Sequence, residues 1–480
     1  MAGLDEALLH DLRALLGDAA VSVEPAELAT RTRDCWPRLS MRERAGERLA
    51  QPGVVVWPTS TAAVGQLYRW ATQRRISVVP YGGGGGVTGG ASPTEGCVMV
   101  DTKRLDKIGP LDQESGLVTV EPGVIGQNLE EWLGARGWTL GHFPSSITIS
   151  SVGGFAAARS AGQSSTKYGT FASMVAGLTA VLPDGTVVNR RPQPASAAGP
   201  DLMGVLLGSE GTLGLITQLV LRIHPAPEAI ALRGHRLPSF AAGLDAMRAA
   251  LRNGVKPAVV RLYDKADTAL FHPEVGDGCL LITMCEGWAP LVALEEKALG
   301  MAVAAHGGSD LGEGPGRSWH ERRYEASYKL ADYLKPGGAF GNAVAVDTME
   351  VAASWSRLAA SYAAVHAALS EHMDLVLCHA SHAYSDGACL YFTFGAAGQG
   401  DEDAVRDRYD ATWAAAMPAA IAAGATITHH HGIGLLRAPY LRAELGEGGF
   451  AMLERIKAAL DPAGIANPGK LGLAAAEAGR

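Results

Sequence analysis

The stretch Ile76-Ser77-Val78-Val79-Pro80-Tyr81-Gly82-Gly83-Gly84-Gly85-Gly86-Val87-Thr88-Gly89-Gly90 decides how the rest of the chain is read. Ile76–Tyr81 is an apolar, β-branched run, which predicts a strand, and it ends in five consecutive glycines. Gly84-x-Gly86-x-x-Gly89 fits the spacing of a dinucleotide fingerprint. That fingerprint also needs a helix to follow, so that its N-terminus meets the pyrophosphate. Here Ala91-Ser92-Pro93-Thr94-Glu95-Gly96 follows, and then another strand, CVMVDT. The context disfavours a Rossmann site. It favours a different cradle, in which successive backbone N–H groups with no Cβ in the way form an anion-binding nest. A plain flexible loop is the alternative, but ordering five glycines costs much conformational entropy.

Outward from this loop, glycine remains abundant: 60 of 480 residues, with 25 prolines. A hydrophobic share of 47% and a charged share of 19% argue for a large buried core and against disorder. Net charge is −8, with no basic block, which disfavours nucleic-acid binding. The six cysteines are scattered without a CxxC pair, so neither a disulfide framework nor a metal site is expected. The N-terminal residues are acidic and amphipathic, unlike a signal peptide. The uncharged run Ala411–Thr428 contains Pro418 and Gly424 and predicts a buried helix plus strand, not a membrane span. A cytoplasmic protein is expected.

Residues 1–48 read as a charged helical arm. VVVWP, ISVVPY, CVMVDT and GLVTVEPG read as strands, and TSTAAVGQLYRWATQRR and IGQNLEEWLGARG as helices. From about residue 230, Ala-rich helices (240–252, 290–306, 351–372, 402–423) alternate with apolar strands such as CLLITMC, LVLCHASH and ACLYFTF. This grammar predicts an antiparallel sheet covered by helices.

Four further segments carry chemistry. Pro144–Phe155, with Arg159, Ser160, Gly162 and Lys167-Tyr168-Gly169, is rich in small and hydroxylated residues, which suit a tight wrap around a large polar ligand. Gly208-Ser209-Glu210-Gly211-Thr212 is a turn with a carboxylate feeding a strand. Tyr391 and Phe392 lie on opposite faces of an apolar strand. His429-His430-His431-Gly432-Ile433-Gly434, read as a strand, puts His429 and His431 on one face and His430 on the other; proton transfer is the preferred role.

In this order, these five segments resemble the FAD-binding fold of the vanillyl-alcohol oxidase (PCMH-type) superfamily, and within it the alkylglycerone-phosphate synthase family. The resemblance runs from VVVWPTSTAAV to ALDPAGIANPGKLG. It implies an α+β fold: a PCMH-type FAD-binding domain of two α+β lobes with an α/β cap (substrate) domain over an antiparallel sheet. The implied boundaries are an arm at 1–48, the FAD domain at 49–228, the cap at 229–435, and a segment at 436–480 that returns to the FAD domain. By resemblance, Pro80, Gly82, Gly83, Gly84, Gly85, Gly86, Val87 and Thr88 cradle the pyrophosphate. Pro144, Ser145, Ser151, Gly153, Gly154, Arg159, Ser160, Gly162 and Tyr168 line the flavin, and Glu210, Gly211 and Ile216 hold the adenosine half. Tyr391, His429, His430, His431 and Arg261 match the catalytic set. The loop has no His or Cys for attachment, so FAD is expected to be non-covalent.

The family also implies a homodimer and a small-molecule substrate. Two activities follow. One is an FAD-dependent oxidoreductase acting on a small alcohol or hydroxy-acid-like substrate at flavin N5. The other is exchange of the acyl group of acyl-dihydroxyacetone phosphate for a fatty alkoxy group without net redox. A non-catalytic FAD-binding protein is a third reading. Two departures fall at the substrate end. Ser327-Tyr328-Lys329-Leu330-Ala331-Asp332 lacks the family's arginine, and Cys35-Trp36-Pro37-Arg38 replaces a Tyr-Pro-Asp motif. A Lys is a flexible point charge and no substitute for a bidentate fork, so anion recognition is expected to differ.

Overall fold

The computed structural model describes residues 5–325, 343–398 and 400–473, and the segment 327–332 lies outside the described residues. At the N-terminus the amphipathic helix Glu6–Leu16 is capped by Asp5, whose side chain accepts from Leu8 N, and it buries Leu9 and Leu12. Those leucines pack into one core with Val54, Val64, Leu67 and Val98. A second capped helix, Thr61–Arg74, follows Ser60, whose hydroxyl accepts from Ala63 N.

That helix is the crossover of a mixed sheet ordered Val21–Ser22, Val54–Val56, Val98–Asp101, Val78–Tyr81. Val54–Val56 and Val78–Tyr81 both run parallel to Val98–Asp101. Their near-continuous valine runs fit strands buried on both faces. A second sheet is antiparallel, ordered Ile108–Asp112, Leu117–Val120, Leu215–Arg222, Val175–Val181, Val187–Arg190. The two sheets, each with its helices, form the two lobes anticipated for the first half.

The second half is built on a seven-stranded antiparallel sheet. Its order is Ser309–Asp310, Ala229–Leu237, Cys279–Gly287, Val259–Tyr263, Leu375–Ser381, Gly387–Ala397, Val344–Ser354. Helices Phe240–Arg252, Trp355–Ser370 and Glu402–Ala422 bury Leu244, Leu358 and Trp413 in one core with Leu262, Leu281 and Phe392 from one face of this sheet. The opposite face carries polar and aromatic side chains. Register places Glu350 opposite Tyr391, Tyr391 opposite His379, and His379 opposite Tyr263. Arg261 lies two residues before Tyr263, hence on the same face.

Two expectations change. The helix read at 351–372 begins only at Trp355, because Val351–Ser354 complete a strand paired along its length with Gly387–Ala397. Alanine-rich composition hid the period-2 alternation there. The histidine run is not a strand: residues 429–431 form a bend after the isolated bridge Ala352–Thr426.

The chain then returns to the first half. Helix Ala438–Leu460 leads to a segment in which Val78 N donates to Ile465 O (2.8 Å) and Asn467 N donates to Val78 O (2.9 Å). Lys457 Nζ, buried, donates to Asp461, to Thr212 O and to Ala466 O. No described helix is long and apolar enough to cross a membrane.

Candidate active site

The Gly82–Thr88 loop leaves the edge of the mixed sheet and lies against residues 149–151. A Cβ on Gly83 would overlap the Ile149 carbonyl oxygen, and one on Gly85 would sit 2.6 Å from Ser150 Oγ. Only glycine allows this approach, and Gly84 also needs it for its φ of +68°. The loop's carbonyls have partners: Cys35 N donates to Gly86 O (2.7 Å) and Lys103 Nζ to Gly82 O (3.1 Å). Its N–H groups do not. Among the described residues, no N–H from Gly82 to Thr88 donates to a protein acceptor, and most of these residues are only half-buried. A row of unfilled donors without side chains fits a pyrophosphate.

The second wall is the segment 141–169. Within it, Pro144 and Ser145 are half-buried. Ser151 caps the short helix Val152–Ala158 by accepting from Gly154 N (3.3 Å), and Gly153 is pressed against Pro122. Arg159 ends that helix in the left-handed region (φ 53°), with its stem against Gly208. Ser160 Oγ is hydrogen-bonded to His142 Nε2 at 2.9 Å, and Gly162 packs on the Phe143 backbone. Tyr168 lies at the end of the segment. Its hydroxyl donates to Glu286 Oε1 (2.9 Å), tying this wall to the seven-stranded sheet.

Glu210 sits between this wall and the histidine loop. Its carboxylate accepts from Ile433 N (2.6 Å) and Gly434 N (2.8 Å), so it is occupied by the histidine loop. Burial pushes it up to about 7, against the pull of those two donors. Gly211 packs on Pro80, and Ile216 is buried in its strand.

Facing this wall, the sheet face presents a cluster of aromatic and imidazole rings. Tyr391 stacks on His379 (4.8 Å between centroids) and on His430 (5.9 Å), with His431 edge-on at 5.6 Å. Its hydroxyl donates to Thr348 Oγ1 (3.0 Å), and burial pushes its phenol up to about 12. His429 Nε2 is hydrogen-bonded to the Tyr384 hydroxyl (2.9 Å), and its Nδ1 to His430 Nδ1 (2.9 Å). Burial lowers His429 and His431 to about 4, and His430, His379 and His382 well below the usual value. These rings are uncharged at neutral pH. Arg261 supplies the fixed cation: Nη2 lies 3.3 Å from His379 Nδ1, and its buried Nε has no partner.

The structure thus gathers Tyr391, His429, His430, His431 and Arg261 into one site. It adds Tyr384, from the turn before the Tyr391 strand, and His379, His382 and Glu350, which the sequence reading passed over. The signal was present: two histidines interrupt an otherwise apolar strand in LVLCHASHAY, and two acids, Asp347 and Glu350, interrupt VDTMEVAAS. A buried polar residue in an apolar strand is the informative observation. Cys389, His429 and His430 place ligand atoms within 4.8 Å of one another, although His429 already has both ring nitrogens engaged.

A glycine loop with unfilled N–H donors on one half thus meets a cluster of phenol, imidazole and guanidinium groups on the other. Residues 52–190 match the FAD binding domain family, and residues 226–471 match the family described as FAD linked oxidases, C-terminal domain. The chain is 32% identical over 472 residues to the alkyldihydroxyacetonephosphate synthase of Trypanosoma brucei brucei, covering 92% of this chain and 75% of that one. It is 28% identical over 436 residues to a glycolate oxidase subunit of Bacillus subtilis (strain 168), covering 88% and 89%. A solved alkyldihydroxyacetonephosphate synthase structure superposes with a TM-score of 0.80 at 24% identity, covering 97% of this chain and 85% of that chain. The chain belongs to the FAD-linked oxidase family, and FAD is its cofactor.

Proposed function

We propose that the enzyme oxidises a small alcohol or hydroxy acid that carries an anionic group, and Arg261 carries this reading. Its Nε is buried without an acceptor beside the proton-handling rings. A buried guanidinium N–H without an acceptor is costly, and a carboxylate accepting from it would relieve that cost. Similarity to a glycolate oxidase subunit supports the same substrate class. Bound FAD supplies a hydride acceptor. The chain's own task is then to orient the substrate and take its hydroxyl proton. His430 is the acceptor in this reading: its Nδ1 is engaged by His429, and its ring stacks on Tyr391. Tyr391, kept protonated, donates to the substrate oxygen.

Gly82–Thr88 would hold the pyrophosphate, and Pro144, Ser145, Ser151 and Ser160 the flavin, without a covalent link. A cytoplasmic homodimer is part of the same reading. Similarity to the trypanosomal synthase favours a second reading, exchange of an acyl for an alkoxy group on a dihydroxyacetone phosphate ester. Against it, Ser327–Asp332 contains no arginine. Incubation with an acyl ester of dihydroxyacetone phosphate and a labelled long-chain alcohol separates the two: label entering the phosphate product supports exchange, and its absence supports oxidation.

A further inference from the structure

The histidine loop is suspended between two carboxylates, one from each half. From the seven-stranded sheet, Glu350 Oε1 accepts from His430 N (3.1 Å), His431 N (2.5 Å) and the Thr428 hydroxyl (2.8 Å). From the first half, Glu210 accepts from Ile433 N (2.6 Å) and Gly434 N (2.8 Å). Four main-chain N–H groups within five residues thus end on two side chains. Arg437 closes the frame: Nη2 donates to Glu350 Oε2 (2.8 Å) and Nη1 to Gly432 O (2.9 Å), the carbonyl between the two pairs. Glu350 and Arg437 are wholly buried. Burial pushes the Glu350 carboxyl up, but Arg437 and the loop's donors outweigh it, so Glu350 stays below its usual value.

The same frame reaches the cofactor cradle. Leu435 N and Leu436 N donate to Thr88 O (2.8 and 3.0 Å). Asn467 Nδ2 donates to Gly90 O (3.0 Å) and Glu210 O (2.6 Å). Glu210 itself sits in the left-handed region (φ 49°), a conformation that a non-glycine residue adopts at a cost. Its carboxylate touches the loop backbone and none of the ring nitrogens.

We propose that Glu210, Glu350 and Arg437 are positioning residues that register the histidine loop against the glycine cradle, and that Glu210 acts through the loop and not as a holder of adenosine. The assignment rests on the reading of His429–His431 as the proton-handling group. An amide at position 210 can accept with one oxygen only and turns its NH2 toward the other donor.

The test uses the full chain loaded with FAD. Glu210→Gln is expected to keep FAD affinity within about threefold and to speed amide hydrogen exchange at Ile433 and Gly434 by about tenfold, the cost of one to two lost hydrogen bonds. Its kcat is expected to fall about 100-fold with little change in KM, the cost of a misplaced catalytic group. Weakened FAD binding with unchanged exchange would overturn the proposal and make Glu210 a cofactor ligand. Glu350→Gln leaves Arg437 buried and unpaired and can fail to fold, so Glu350→Gln/Arg437→Met removes both charges. Faster exchange at His430 and His431 with an altered pH profile is expected of the pair; wild-type exchange and kcat would overturn its positioning role. Exchange is read without substrate, so failure to find any oxidisable substrate would count against the functional reading alone.

Discussion

The Tyr391 ring lies on that of His379, centroids 4.8 Å apart and planes 19° from parallel, across one register step of the sheet. The stack fixes the ring while the hydroxyl stays free to donate, now to Thr348 Oγ1. Tyr391→Phe keeps the stack and removes only the hydroxyl. FAD affinity and melting temperature are expected to stay near wild type, and kcat to fall about 100-fold or more, the usual contribution of a positioned proton donor. Steady-state kinetics at saturating FAD measure this; an unchanged kcat would remove Tyr391 from the chemistry.

Arg261 is expected to act on binding more than on turnover. Arg261→Ala removes a charge-assisted hydrogen bond worth about 1.5–3 kcal/mol, so KM for an anionic substrate should rise about 10- to 100-fold. Arg261→Lys keeps the charge but loses the fork and should recover only part of the affinity. Neutral alcohols should show no comparable KM change. Equal losses for charged and neutral substrates would show that Arg261 is structural.

Burial lowers His429 and His431 to about 4. The sign follows from the depressed values. Between pH 6.5 and about 4 the unfolded chain takes up protons that the folded protein cannot, so each ring withdraws stability as pH falls through that window. The slope approaches about 1.4 kcal/mol per pH unit for each such ring. Thermal melts of wild type and His429→Asn should diverge below pH 6.5 and run parallel above it. Activity should likewise keep its neutral imidazoles through pH 6, so an acid limb near 6.5 in kcat would contradict these assignments.

Gly83→Ala must push the glycine loop away from the Ile149 carbonyl, whereas Gly85→Ala meets the movable Ser150 hydroxyl. The first should weaken FAD binding by at least about tenfold, the cost of one or two misplaced phosphate donors, and the second by less. Flavin fluorescence titration of the apoprotein ranks the two, and equal affinities would argue that the pyrophosphate lies elsewhere.

Much of this arrangement was legible in the chain. Val54–Val56, Val78–Tyr81 and Val98–Val100 announced themselves as apolar runs. Tyr391 and the three histidines came together as expected. The illegible part is long-range pairing. Nothing local to Glu210 says that its carboxylate meets Ile433 and Gly434, more than two hundred positions away. Glu350 likewise reads as one of two acids in the strand Val344–Ser354 until register sets it opposite Tyr391. Val351–Ser354 passed for helix because alanine carries no strand signal of its own.

The most direct measurement is anaerobic mixing of the FAD-loaded protein with small hydroxy acids and alcohols while the flavin absorbance is followed. Oxidation predicts that the flavin band bleaches with at least one hydroxy acid, and that Tyr391→Phe and Arg261→Ala slow or weaken the bleaching. No bleaching by any of them, together with acyl-for-alkoxy exchange on a dihydroxyacetone phosphate ester, would contradict it.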